Sequence, residues 1–311
     1  MTSPLRLCPI CGVPDPIRDN ENVWPAGWTC ANCHYVMPES DGIPLLAPDL
    51  ADTAHGFDPA DFAVLAAVEA EHFWFVPRNR LIVTLIDRHF PRASSILEVG
   101  CGTGMVLSAI AQSRPWQRVV GAELHTMGLA EARKRLGQSF RLVQMDARSI
   151  PARDAFDVVG AFDVIEHIAE DEQVLAAMRN AIVPGGGAVI AVPQHPMLWS
   201  DVDDQAHHVR RYRRGELEMK FERAGFRILF SASYTVVLFP LMAASRLLRR
   251  IKGADRTTDG PSDAKPLRTE FRLPRSLNAL VRATLQAEVS TTLAGLRFPF
   301  GGSRIVVAAK R

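Results

Sequence analysis

The sequence predicts an α/β protein: a seven-stranded, mostly parallel Rossmann-like sheet with helices on both faces, preceded by a small cysteine-rich module. Three observations support this prediction. From residue 95, short apolar runs alternate with helix-like segments, which is typical of a parallel sheet. Alternate glycines follow the first of these runs. Near the amino end, four of the five cysteines form two C-x2-C pairs.

Composition and charge limit the possible classes of protein. The 311 residues are 47% hydrophobic and carry a net charge of +2, which suits one sizeable core with a small appended module. No apolar run approaches the roughly twenty residues that span a bilayer, and the first residues carry no apolar signal region. We therefore expect no transmembrane segment and a cytoplasmic location. The last third is basic, which favours either a solvated helical surface or an anionic partner.

The two cysteine pairs, in "CPIC" and "CANC", predict a metal site. About eighteen residues separate the pairs, a spacing found in tetrahedral zinc sites. Four thiolates leave no open position for water, so we expect the zinc to be structural. His34 in place of Cys33, or a redox pair without metal, are the alternatives. Residues 1–50 are thus predicted to form a zinc ribbon with Cys8, Cys11, Cys30 and Cys33 as ligands.

The main domain is predicted from its alternating elements. Five β-branched runs predict parallel strands buried on both faces, namely "SILEVG", "RVVGAE", "FRLVQMD", "FDVVGAFD" and "AVIAVP". Two later runs, "RILFSASYT" and "SRIVVAAKR", bring the number of strands to seven. The predicted core therefore comprises residues 95–235 and 301–311.

The glycine loop "ILEVGCGTG" distinguishes between two kinds of nucleotide-binding fold. A dinucleotide fold carries G-x-G-x-x-G after its first strand. Here the third glycine of that pattern would fall at Met105 or at Leu107, so the pattern fails. The pattern that fits is E-x-G-x-G-x-G, formed by Glu98, Gly100, Gly102 and Gly104.

Taken with acids at the ends of the second and third strands, this pattern resembles motif I of the class I S-adenosylmethionine-dependent methyltransferases. The resemblance covers residues 70 to 235 and the last strand. It implies that S-adenosylmethionine is the cofactor and that the glycines admit its methionine portion. It also implies that Glu98 receives the cofactor ammonium and that Glu123 binds both ribose hydroxyls, with Leu124 in the same site.

The same resemblance assigns the remaining cofactor contacts. Asp146 would meet the adenine amino group and the amide of Ala147 a ring nitrogen, while Ala161 and Phe162 would line the cofactor near its sulfonium. Arg80 matches an arginine that binds the cofactor carboxylate in ubiquinone-biosynthesis O-methyltransferases, with Arg78 as the alternative. Residues 51–94 are accordingly predicted to form cap helices over the cofactor.

The acceptor side is less defined by the sequence. The candidate general bases are His167, His207 and His208, and for each a structural hydrogen bond is the alternative. In the ubiquinone relatives a Glu-Glu-His cluster can hold a divalent metal; Glu166 and His167 match part of it, but the sequence does not supply a full set.

Two segments favour an anionic acceptor or partner. The loop "HHVRRYRR" is predicted to be either a phosphate grip or a loop neutralised by the preceding aspartates. Residues 236–300 are predicted to form a helical insertion that serves as an acceptor lid, and their apolar, then basic, start also suits peripheral membrane contact.

The leading hypothesis is an S-adenosylmethionine-dependent methyltransferase acting on a small-molecule or lipid/glycan-linked anionic acceptor. Ribbon and glycine loop together also resemble large-subunit rRNA guanine methyltransferases, so an enzyme that holds RNA with its ribbon and basic last third is the first alternative. A non-catalytic scaffold that only binds adenosylmethionine is the second.

Overall fold

A computed structural model describes residues 3–18, 21–51, 61–251 and 273–311 of the chain. These residues form strands β1 (Leu5–Leu7), β2 (Pro14–Pro16), β3 (Glu39–Ser40), β4 (Ile43–Pro44), β5 (Ser95–Val99), β6 (Arg118–Glu123), β7 (Arg141–Gln144), β8 (Ala152–Arg153), β9 (Phe156–Phe162), β10 (Ile182–Pro193), β11 (Phe226–Tyr234) and β12 (Ser303–Lys310). Their α-helices are α1 (Asp61–Val68), α2 (Phe75–His89), α3 (Met105–Ser113), α4 (Thr126–Leu136), α5 (Asp171–Ala181), α6 (Asp201–Gln205), α7 (Glu216–Arg223), α8 (Phe239–Ile251) and α9 (Arg275–Leu293).

Seven strands form the central sheet, in the order β11-β12-β10-β9-β5-β6-β7. The neighbours from β10 to β7 run parallel, whereas β12 is antiparallel to both β10 and β11. Every residue of β5 is buried, as expected for a strand covered on both faces. The predicted seven-stranded, mostly parallel α/β sheet is confirmed.

Helices pack on the sheet through two large hydrophobic clusters. One cluster joins the sheet to α5 and α7, with Leu175 and Phe221 fully buried. The other joins it to α2, α3 and α9, with Leu81 and Ile110 at its centre. Ligands bind at the carboxyl ends of the parallel strands in open α/β sheets. A ligand site is therefore expected at that edge of this sheet.

The amino-terminal ribbon is attached to the core rather than tethered beside it. Strand β1 pairs with β2 on one side and with β8 on the other. Trp24 is almost completely buried, and its Nε1 donates a hydrogen bond of 3.1 Å to the carbonyl of Pro151. The β3–β4 hairpin follows, and Leu45 then bridges to Gln144 in parallel orientation. The buried Gln144 side chain also bonds both backbone groups of Ala47.

The insertion between β11 and β12 contains α8 and α9. Helix α9 packs on α2, where Arg88 donates a hydrogen bond of 2.7 Å to the carbonyl of Leu293. The buried carboxylate of Glu288 on α9 accepts the amides of Val236 and Val237 at 2.8 and 2.9 Å. This contact fixes the start of the segment that leads into α8.

Parts of two predicted segments lie outside the described residues. These are residues 52–60 of the predicted cap and residues 252–272 of the predicted lid. Among the helices in the described ranges, none combines the length and apolarity needed to cross a membrane.

Candidate active site

A cavity of about 840 Å³ opens at the carboxyl ends of the parallel strands. Its walls come from the loops after β5, β6, β7 and β9, from the end of β10, and from the cap and insertion segments. Of the predicted cofactor residues, those that line it are Glu98, Gly100, Gly102, Glu123, Leu124, Asp146, Ala147 and Phe162. One chamber therefore collects most of the predicted cofactor site.

The glycine loop turns between β5 and α3 and is held by β6. Gly102 lines the cavity, and its amide donates a hydrogen bond of 3.0 Å to the Glu123 carboxylate. Gly104, expected to contact the cofactor, does not line the cavity. It caps α3 with φ of 74°, a conformation that favours glycine, and a Cβ there would meet Leu136 at 2.9 Å. Gly104 therefore shapes the turn rather than the cavity wall.

The buried carboxylate of Glu123 organises this end of the cavity. One oxygen accepts the Gly102 amide, and the other accepts the amides of Leu124 and His125 at 2.8 and 3.1 Å. Each carboxylate oxygen has two acceptor sites, so capacity remains for a ligand hydroxyl. Three of the four acceptor sites are thus used by backbone amides, and the free site on Oε2 can accept one ribose hydroxyl.

Glu98 is a buried acid whose Oε2 has no hydrogen-bond partner among the described residues. Burial raises the pKa of Glu98 well above its usual range, and Glu123 and Glu69 add to this rise against the opposing effect of Arg78. An unpaired carboxyl in a buried position is costly unless a donor or cation meets it. The position thus suits a ligand ammonium.

The adenine and sulfonium predictions are met only in part. Asp146 lines the cavity but also binds the Arg148 guanidinium, with 2.9 Å from Oδ2 to Nε. Phe162 lines the cavity, whereas Ala161 does not and is fully buried in the core. Adjacent residues of a strand point to opposite faces, so the prediction that both would line the cofactor is corrected to Phe162 alone.

Of the two arginines predicted as candidates for the cofactor carboxylate, Arg78 lines the cavity and Arg80 does not. Arg80 is exposed on the outer side of α2 and bonds Ser290 on α9 at 2.9 Å. Arg78 is buried, lines the cavity and pairs with Asp163. Residues two apart on a helix face in nearly opposite directions, so only one of the two can reach the cavity.

Polar contacts of Glu69 hold α1 over the glycine loop. The buried Glu69, just after α1, pairs with Arg135 on α4 at 2.5 Å and bonds the Thr103 hydroxyl. Phe62 of α1 also lines the cavity and lies 3.6 Å from the Cβ position of Gly102. Helix α1 therefore covers the cavity at the glycine loop.

The histidine predictions separate into two groups. His167 and His208 line the cavity and lie edge to face, with ring centroids 4.7 Å apart. Burial, reinforced by His208, lowers the pKa of His167 to about 3, so this ring is neutral. His207 is exposed and outside the cavity. The prediction for His207 is therefore wrong, because the chain turns at this residue with φ of 54° and directs the neighbouring side chains apart.

His208 is oriented by an acid that the sequence did not single out as a site residue. The fully buried Asp203 carboxylate lies 2.9 Å from His208 Nδ1. Its pKa is lowered, since the hydrogen bond from His208 and the charge of Arg211 outweigh the cost of burial. A carboxylate on Nδ1 fixes the ring and leaves Nε2 to accept a proton. The amide of Val209 bonds the carbonyl of Glu166 at 2.8 Å, which holds the loop against the site.

Two of the four arginines in the loop "HHVRRYRR" pair with buried acids. Arg211 pairs with Asp203 at 2.6 Å, and Arg210 pairs with Asp171 at 2.6 Å. Of the loop's arginines, Arg211 alone is among the residues described as lining the cavity. The pairing of Arg210 and Arg211 favours the alternative of a loop neutralised by acids for this part of it.

Two side-chain clusters have the composition of metal sites. The ligand atoms of Glu166, His167 and His208 lie within 4.8 Å of one another. Among the described residues, both oxygens of the buried Glu166 lack a hydrogen-bond partner, and so does Nδ1 of His167. The set therefore fits a divalent ion. An ion there would act as a Lewis acid toward a bound acceptor.

The second cluster is the predicted ribbon site. The sulfur atoms of Cys8, Cys11, Cys30 and Cys33 lie within 4.8 Å of one another. None of the four forms a disulfide. The four-cysteine set thus fits a structural zinc ion.

The rest of the cavity wall is largely apolar. Phe73, Trp74 and Phe75 come from the segment before and into α2, and Leu238 and Met242 come from the insertion.

The contributions of Asp203 and Glu69 were not foreseen, since acids near arginines are common on surfaces. The only sequence signal for Asp203 was its position within the acidic run before the histidines.

Comparison with known proteins gives a consistent result. A family model described as a methyltransferase domain matches residues 69–230. The ubiquinone biosynthesis O-methyltransferase of Stutzerimonas stutzeri is 31% identical over 142 residues, which are 40% of this chain and 60% of that protein. The trans-aconitate 2-methyltransferase of Variovorax paradoxus is 30% identical over 105 residues, 34% of this chain and 40% of that protein.

Among solved structures, phosphoethanolamine N-methyltransferase 2 of Haemonchus contortus, in complex with S-adenosyl-L-methionine, matches with a TM-score of 0.52 and 18% identity. The match covers 84% of this chain and 59% of that one, and it supports the fold. The chain thus spans 60% or less of the length of these two curated relatives.

Proposed function

This chain belongs to the family of class I methyltransferase domains, and on that premise we propose that it transfers a methyl group from S-adenosylmethionine to a small-molecule or lipid/glycan-linked acceptor. The observation that carries the proposal is the single cavity in which the glycine loop, Glu123 and the His208–Asp203 pair meet. The first two suit the cofactor and the third suits an acceptor that must lose a proton.

The residues at the cofactor end fit the group that the family implies. The unpaired Glu98 suits the ammonium, Arg78 the carboxylate and Glu123 the ribose hydroxyls. When bound, S-adenosylmethionine supplies an electrophilic methyl group on a sulfonium. The protein's part is then to orient the two reactants and exclude water, and α1, latched by Glu69, covers the cofactor end.

At the acceptor end, His208 serves as general base. Asp203 fixes the ring through Nδ1, so Nε2 accepts the proton that the acceptor loses as its atom attacks the methyl carbon. His167 stays neutral and packs against this ring. Asp203 is therefore a positioning residue.

The insertion suggests the form of the acceptor. Leu238, just before α8, and Met242 of α8 line the cavity, whereas Leu241 and Leu248 of α8 are 69% and 56% exposed. Apolar residues thus lie both at the cavity and on the exposed side of this segment. This suits an acceptor with an apolar body, including one delivered from a lipid phase. Helix α8 acts in this proposal as the acceptor lid.

Transfer of a labelled methyl group tests this function. The pure protein is incubated with methyl-labelled S-adenosylmethionine and a bacterial extract, which is then divided into lipid, small-molecule, RNA and protein pools. We expect label in the lipid or small-molecule pool. Label in RNA would instead support an RNA acceptor held by the ribbon, and cofactor binding without label in any pool would support a non-catalytic scaffold.

Replacing Glu123 tests the cofactor assignment separately. Glu123→Ala should weaken S-adenosylmethionine binding by at least about tenfold, because it removes a charge-assisted grip on the ligand and also frees the Gly102 amide. Calorimetric titration measures the change. Glu131→Ala, on α4 outside the cavity and paired with Lys134, is the matched control and should bind normally. Equal affinity of the Glu123 variant and the wild type would refute the assignment.

A further inference from the structure

The cavity wall carries many more acidic than basic side chains. Of the described residues that line it, seven are carboxylic acids and three are arginines, with no lysine. Each arginine already has a partner: Arg78 pairs with Asp163, Arg148 with Asp146, and Arg211 with Asp203. Glu98 and Glu123 are assigned to the cofactor and explain part of this acidic excess. One further acid, at the acceptor end, is not explained by the cofactor.

That acid is Glu166. It is fully buried, it lines the cavity, and neither of its oxygens has a hydrogen-bond partner among the described residues. A buried carboxyl of this kind is stabilised by a cation or a strong donor brought by a ligand.

The surroundings of Glu166 restrict what that ligand is. Apolar residues line the same cavity, among them Val202 and Ala206 beside the His208 loop and Leu238 and Met242 from the insertion. An anion would meet an unpaired carboxyl and no unpaired guanidinium among the described lining residues. A group that is cationic at one end and apolar at the other satisfies both the acid and the apolar wall.

We infer that the methyl acceptor is an amine on an apolar or amphiphilic body, bound as its ammonium form by Glu166. This inference rests on the proposed function, whose acceptor class it specifies. The ammonium donates to Glu166 and gives one proton to Nε2 of His208. The nitrogen lone pair then forms a bond to the methyl carbon as the bond from carbon to sulfur breaks. The sulfonium becomes a neutral thioether, the product is a methylated ammonium, and His208 releases its proton to water.

The charge of the labelled product tests this inference on the wild-type protein. The labelled fraction from the extract experiment is passed over a cation exchanger at neutral pH. An N-methylated amine keeps its positive charge and should be retained. Labelled product that flows through as a neutral O-methylated compound would overturn the inference while leaving the proposed function intact. Absence of transfer to any pool would count against the proposed function itself.

A binding comparison tests the role of Glu166 without turnover. The probes are 2-phenylethylamine and 2-phenylethanol, titrated into the full chain in the presence of S-adenosylhomocysteine. We expect the amine to bind at least about tenfold more tightly, and Glu166→Gln to abolish that preference, since it removes the charge that meets the ammonium. Glu172→Gln makes the same chemical change at a 56% exposed position on α5 and should keep the preference.

Two results would overturn the assignment. One is equal affinity of the wild type for amine and alcohol. The other is a divalent ion, bound in addition to zinc in the ribbon and lost in Glu166→Gln, because the carboxylate would then serve that ion. Thermal unfolding of both variants shows that they are folded.

Discussion

Replacing His208 by asparagine is expected to lower kcat by about 10²–10⁴-fold, the usual contribution of a positioned general base. The substitution removes the ring that Asp203 orients at 2.9 Å and leaves the acceptor without a group to take its proton. Affinity for S-adenosylmethionine should hardly change, because Glu98 and Glu123 lie at the other end of the cavity. Single-turnover kinetics and calorimetry separate the two effects.

The neighbouring histidine supplies the control. His207 is exposed and has φ of 54°, a conformation that asparagine tolerates well, so His207→Asn should retain the wild-type kcat. Asp203→Asn should fall between the two, since His208 stays but loses its orientation. A His208→Asn enzyme with unchanged kcat would mean that the His208–Asp203 pair is structural only.

Removing the metal from the ribbon is expected to unfold the ribbon. Structural zinc in small modules provides about 10–16 kcal/mol of apparent binding free energy, and the ribbon strands of two or three residues cannot replace it. Trp24 would lose its hydrogen bond to Pro151. We therefore expect about one zinc per chain by elemental analysis, and after chelation a red shift of tryptophan emission with a lower Tm.

Cysteine substitutions localise this effect. Cys30→Ser should lose zinc and show the same red shift, and the shift should be smaller in a Trp24→Phe background. Cys101→Ser changes the one cysteine outside the ribbon and should keep its zinc. Metal-free protein with a buried Trp24 and an unchanged Tm would rule out a structural zinc.

The parts of the site predicted from the sequence are those fixed by the chain's local pattern. The apolar runs, the glycine loop and the acid that ends β6 all depend on residues close together in sequence. The four cysteines carry their own spacing. The zinc prediction needed only the cysteine spacing, whereas the cofactor roles came from the resemblance to the methyltransferase motif, placed at one edge of the sheet by the parallel strands.

The missed or misplaced residues all depend on which way a side chain faces. Arg78 and Arg80 differ only in helix phase, Ala161 and Phe162 only in strand alternation, and His207 and His208 only in the turn between them. Which face of α2 is buried is decided by the sheet and by α9, and α9 lies about two hundred residues later in the chain. Sequence periodicity alone does not contain that information.

The contacts of Gln144 have a consequence for solubility. Strand β7 is the last strand on its side of the sheet, and an uncovered edge strand is a template for pairing with other chains. Here the last residues of the ribbon module occupy that edge: Leu45 lies alongside Gln144, and the amides of Leu46 and Ala47 donate hydrogen bonds to Gln144. This segment therefore protects β7 from edge-to-edge aggregation. A core lacking its first fifty residues would expose that edge to other copies of itself.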